Sequence, residues 1–81
     1  MPRGRPKPKP KPRRLFIETS DGRRFWLRRE RGGWICAPAG VTLDHNAVRP
    51  TARDAITLAT GIGPESPWVA EQDRLAQEAL L

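Results

Sequence analysis

Two arginines flank a single glycine at Arg3-Gly4-Arg5, and a proline stands outside each arginine, at Pro2 and Pro6, with Lys7 beyond. The chemistry open to these residues is the binding of a polyanion. Glycine has no side chain, so the backbone can approach the floor of a narrow groove. The prolines fix their own φ and bias the residue before each toward extended geometry, leaving the arginines to point opposite ways. The minor groove of A·T-rich duplex is narrow and negative and attracts inserted arginines. It also lacks the guanine amino group that would stand in their way. Bond-making chemistry has much less to draw on. One cysteine, Cys36, and one histidine, His45, give neither a disulfide nor a metal-ligand set, and no nucleophile–base pair or phosphate-cradling loop has usable context. The expectation is a protein that is not an enzyme and carries no cofactor. Cys36 reads as a small core or edge residue and His45 as a loop residue.

The run Pro2-Arg3-Gly4-Arg5-Pro6-Lys7 resembles the AT-hook of high-mobility-group A-type chromatin proteins and of bacterial and phage DNA-binding proteins. The resemblance implies a segment that is disordered alone and binds A·T-rich minor groove. It implies groove insertion by Arg3 and Arg5, close approach at Gly4 beside Pro6, and a phosphate contact from Lys7. Family members usually carry basic residues ahead of the core, whereas here the basic residues follow it. Downstream, Lys7, Lys9, Lys11 and Arg13 alternate with proline, which predicts an extended polyproline rod of about 3 Å per residue. With Arg14, these cations would add non-specific contact to DNA. A ligand for a proline-binding domain is an alternative reading of the same repeat.

Charge divides the chain in the same place. Residues 1–14 hold seven basic residues and no acid, so of the net +6 the remaining 67 residues sum to −1. The basic character therefore belongs to the arm, the mark of a polyanion-seeking segment joined to a near-neutral domain. No apolar run is long enough for a signal peptide or membrane span, so the expected location is cytoplasmic, at the nucleoid. The Arg, Ala, Pro and Gly usage suits a high-GC genome, bacterial or phage.

The elements that would position these residues begin at Arg14. The expected organisation is a disordered basic tail over residues 1–13 and one small α+β domain over residues 14–81. That domain would be a three-stranded antiparallel β-meander followed by two α-helices. Residues 14–19 alternate with β-favouring types, Asp21-Gly22 supplies a turn, and residues 23–30 return. Arg31-Gly32-Gly33 makes a second turn, and residues 34–37 form a third strand stopped by Pro38. Alternation puts Leu15, Ile17, Phe25 and Leu27 on the core face and Phe16, Glu18, Arg24, Trp26 and Arg28 on the other. For the third strand it leaves open whether Trp34 with Cys36 or Ile35 with Ala37 turns inward. An extended segment or short fourth strand is possible over residues 41–43. Thr51 caps a first helix that Gly61 ends, and Ser66 with Pro67 opens a second. Trp68, Gln72, Leu75 and Ala79 line the apolar stripe of that second helix, widened by Val69, Ala76 and Leu80. Glu71, Asp73, Arg74 and Glu78 are left for water or a partner.

The outer sheet face offers a possible second nucleic-acid surface, in which Arg24, Trp26 and Arg28 interleave an aromatic ring with cations. The alternative is that Trp26 is shielded by its arginines or buried under the C-terminal helix. A small β-β-β-α module is also similar to the arm-site domains of tyrosine recombinases and to plant-type AP2 modules, an analogy of fold alone that adds Arg23, Arg29 and Arg31. Three functions stay open. The first is a DNA-binding protein, nucleoid-associated or regulating transcription. The second is a phage-type module that modulates a host protein, and the third an RNA-binding protein. The C-terminal helix could pair with its copy in a homodimer, dock on a host protein, or pack on its own sheet.

Overall fold

Asp21 and Gly22 turn the chain back on itself because Gly22 takes a φ of 88° that a side chain would resist. The computed structural model describes residues 14–43 and 47–80. The first hairpin closes with Thr19 N–H donating to the Arg23 carbonyl at 2.9 Å and Gly22 N–H to the Thr19 carbonyl at 3.0 Å. Thr19 is itself buried; its hydroxyl donates to the Asp21 carboxylate and accepts from Arg23 N–H at 3.1 Å. These local bonds join β1 (Leu15–Glu18) to β2 (Arg24–Glu30) in antiparallel register, Leu15 opposite Leu27 and Phe16 opposite Trp26. Arg31 and Gly32 then form a two-residue turn into β3 (Gly33–Pro38), with Gly32 at φ 83°. The result is one sheet of order β1-β2-β3, the expected meander.

That turn settles the choice left open for β3. Pairing Glu30 with Gly33 sets Leu27 against Cys36 and Trp26 against Ala37. Trp34 and Cys36 therefore share a face with Leu27, and Ile35 and Ala37 share one with Trp26, because register fixes the face of every side chain.

α1 (Ala52–Thr60) starts where Thr51 leaves extended backbone, φ −131° and ψ 157°, and its hydroxyl accepts from Asp54 N–H at 3.0 Å. It ends at Gly61, in left-handed conformation at φ 78°, whose N–H reaches the Thr57 carbonyl at 2.9 Å. α2 (Pro67–Leu80) opens on Ser66, whose hydroxyl accepts from Trp68 N–H at 3.2 Å and whose carbonyl accepts from Ala70 N–H at 3.1 Å. Both helices lie on one face of the sheet. Ile17, Phe25, Leu27, Trp34 and Cys36 meet Ala52, Ala55, Ile56, Val69 and Ala76 there in a single core. Burial of each large aliphatic side chain stabilises this core by about 1.5–3 kcal/mol.

Three expectations need correction. The apolar stripe of α2 centres on Val69 and Ala76, with Trp68 and Leu80 packed at its margins, so the row through Gln72 and Leu75 is a flank. Asp73 is three-quarters covered and lies 3.7 Å from Arg53 on α1, a cross-helix contact within the molecule. Residues 41–43 form no strand. The fourth partner of the sheet is Arg49, which exchanges both backbone bonds with Trp34 at 2.8 and 2.7 Å as an isolated bridge. Gly33 permits that approach, since a Cβ there would collide with the Arg49 carbonyl oxygen and lie 2.8 Å from Val48 Cγ1.

Candidate nucleic-acid interface

The outer face of the sheet is a second, smaller core. Trp26, Ile35 and Ala37 are buried together beneath Leu43 and Ala47, carried by the segment that crosses this face between β3 and α1. Trp26 is only 3% exposed, and its indole Nε1–H donates to the Val41 carbonyl at 2.8 Å. Two guanidiniums stand over its ring, Arg14 at 5.0 Å and Arg28 at 5.3 Å from the centroid, within cation–π range. Arg28 is turned back on the protein, with Nη2 2.8 Å from Glu30 Oε1 and Nε buried without a hydrogen-bond partner.

The three outer-face residues singled out in the sequence therefore separate. Trp26 is shielded by its arginines, as one alternative held, and a connecting loop rather than the C-terminal helix covers it. Stacking a base on it would require displacing Leu43, Ala47 and the Val41 bond. Arg28 is largely committed to Glu30. Arg24 stays open, its side chain 75% exposed and its Nε 3.6 Å from Glu18 Oε1. Arg14 is exposed, and its guanidinium stands over Trp26 on this face. Arg3, Gly4, Arg5, Pro6, Lys7, Lys9, Lys11 and Arg13 lie outside the described residues, as does His45.

The aromatic that does face solvent is Phe16, 67% exposed on β1 directly opposite Trp26. It borders an open hollow of about 420 Å³ lined with Ile17, Glu18, Arg24 and Ala39. Alternation put Phe16 on this face, but nothing in sequence separated it from Trp26, because only the covering loop distinguishes them. Of the other cations, Arg23 is held by Asp21 at 3.0 Å and by the Thr60 carbonyl at 3.3 Å, while Arg29 and Arg31 are exposed. The Thr19 hydroxyl and the Arg23 guanidinium hold the Asp21 carboxyl below its usual range.

Elsewhere the chemistry is quiet. Cys36 sits in the main core, and burial pushes its thiol up to about 12. Among the described residues no group of three His, Cys, Asp or Glu side chains could hold a metal, and no helix is long and apolar enough to cross a membrane. Trp68, expected on the apolar stripe of the second helix, packs against the core and donates its indole N–H to the Glu18 carbonyl at 3.2 Å. No family model, no curated protein and no solved structure matches this chain.

Proposed function

We propose that this is a small DNA-binding protein that meets A·T-rich minor groove through its N-terminal arm, cytoplasmic and associated with the nucleoid. One observation carries the reading. The Arg3-Gly4-Arg5-Pro6 core heads a segment, residues 1–14, of seven cations and no acid, whereas the 67 residues that follow sum to −1. The geometry of the domain supports the same division of labour. Trp26 is closed off and Arg28 turned to Glu30, so the Arg24–Trp26–Arg28 platform is not open to a ligand, and Phe16 with Arg24 is the exposed pair on that face. The burden of affinity in this reading falls on the arm, which precedes β1 in the chain. The RNA reading drew on an open Trp26 face and is left without that support.

In this account Arg3 and Arg5 give the A·T preference. Lys7, Lys9, Lys11, Arg13 and Arg14 act through phosphate contact and counterion release. If about five of these charges neutralise phosphates, log K falls with log salt at a slope of about −4 to −5. Between 50 and 200 mM salt that is a loss of about 500-fold. The test is the full chain carrying Arg3→Ala and Arg5→Ala together, titrated against A·T-rich and G·C-rich duplexes across that salt range. The preference should vanish while much of the weaker, salt-sensitive binding remains. An equal loss on both duplexes would refute the division between Arg3 and Arg5 and the other cations.

A further inference from the structure

The two edges of the sheet are finished differently. Along β3 the outward groups of Trp34 are taken by Arg49, and the Pro38 carbonyl accepts from Val41 N–H at 3.0 Å. Along β1, among the described residues, no strand stands outside, since the sheet order ends there. The direction of its backbone groups follows from the hairpin. Thr19 N–H bonds to the Arg23 carbonyl, so residues 15 and 17 also turn their groups toward β2, and residues 16 and 18 turn theirs outward. The Trp68 indole bonds the Glu18 carbonyl from that outer side, as this alternation requires.

The same alternation carries the side chains of residues 14, 16 and 18 onto the outer face. Arg14 lies over Trp26, Phe16 is 67% exposed, and Glu18 lies beside Arg24. A cation and an anion thus stand two residues to either side of an exposed ring. A two-fold rotation about Phe16 exchanges the two ends, so the pattern complements itself.

We propose that the β1 edge is a homodimer interface, in which β1 pairs antiparallel with β1 of a second copy, Phe16 opposite Phe16, to make a continuous six-stranded sheet. Phe16 then exchanges both backbone bonds with its counterpart. Arg14 faces the partner's Glu18 at one end, and Glu18 faces the partner's Arg14 at the other. Directly opposed aromatic pairs and opposite charges both stabilise antiparallel strands. Shifting the register by two residues sets Phe16 against the partner's Glu18 and leaves Arg14 without its anion, so the charges select one alignment. Trp68 occupies one lone pair of the Glu18 carbonyl, which has a second to offer.

The shared strand is short and buries less than the roughly 1,200 Å² of a stable interface. The dimer is accordingly concentration-dependent, and the two basic arms oppose it until salt screens them. It shares Arg14 with the proposed phosphate contacts and otherwise uses none of the residues assigned to DNA binding. Where both hold, one dimer presents two arms and gains from effective concentration.

The experiment is sedimentation equilibrium on the full chain, at an ionic strength near 0.3 M so that arm repulsion is screened. Three single variants are compared, Glu18→Arg, Arg14→Glu and Phe16→Lys, with folding checked by circular dichroism. All three positions are exposed, so the fold should persist. The parent should dimerise at hundreds of micromolar, and each variant should need roughly tenfold more protein or more. An equimolar mixture of Glu18→Arg and Arg14→Glu should dimerise again, because each copy then offers what the other lacks. A parent that stays monomeric at about 1 mM would overturn the proposal. So would variants that dimerise as the parent does, or a mixture of the two charge variants that remains monomeric.

Discussion

Replacing Trp26 with phenylalanine separates a structural ring from a ligand-binding one. The indole is 3% exposed, donates to the Val41 carbonyl at 2.8 Å, and has the Arg14 and Arg28 guanidiniums within 5.0 and 5.3 Å of its ring centroid. Phenylalanine keeps an aromatic ring under the guanidiniums but removes the donor. The lost hydrogen bond costs about 1 kcal/mol. The smaller ring leaves part of the site empty, for about 1 kcal/mol more. Each kcal/mol moves the midpoint of a domain this size by roughly 4–8 °C, so a fall in Tm of about 8–16 °C is expected. Trp26→Ala would cost about 3–5 kcal/mol. A domain of this length holds only about 3–10 kcal/mol in all, so that variant should lose between about a third and all of its stability. The assay is thermal melting by far-ultraviolet circular dichroism, beside DNA titrations of the folded Trp26→Phe protein. Its DNA affinity should match the parent's. A Tm within about 2 °C of the parent together with weakened DNA binding would mean that the ring meets ligand, and the two-sided sheet would be refuted.

The thiol of Cys36 should label slowly with an aromatic disulfide reagent in the native protein and at once in guanidinium chloride, and rapid native labelling would contradict its burial. Burial raises its folded-state pKa from 9.0 to about 12, so the stability linked to it is fully present below pH 9 and is lost as pH rises toward 12. Alkaline denaturation should therefore begin later in Cys36→Ala than in the parent once the two are matched at pH 7. Gly33→Ala drives a Cβ into the Arg49 carbonyl and should break both Trp34–Arg49 bonds, at about 2–3 kcal/mol. Hydrogen exchange would read this as lost protection at Trp34 and Arg49, and parental protection there would refute the bridge.

What sequence made legible was local. Thr51, Gly61, Ser66 and Gly22 each act on backbone groups within a few residues, so type and spacing sufficed to place the turns and helix ends. The order of three strands and two helices followed from those stops. What it hid depended on partners distant in the chain. The face of β3 hung on the length of the Arg31-Gly32 turn, a difference of one residue that composition does not record. The centre of the α2 stripe was ambiguous because its apolar positions span a broad arc, and α1 decides which of them are covered. The second core was the largest omission. Val41, Leu43 and Ala47 lie among turn formers with no period, and Trp26 between two arginines reads as an open face until that segment is laid across it.

The central claim, that the arm reads A·T-rich minor groove, is met most directly by fluorescence anisotropy of the full chain on two duplexes of equal length, one A·T-rich and one G·C-rich, at a single salt concentration. The account predicts clearly tighter binding to the A·T-rich duplex, and loss of that difference when a minor-groove-filling polyamide is added. Equal affinity for the two duplexes, or a preference that survives the competitor, would contradict it.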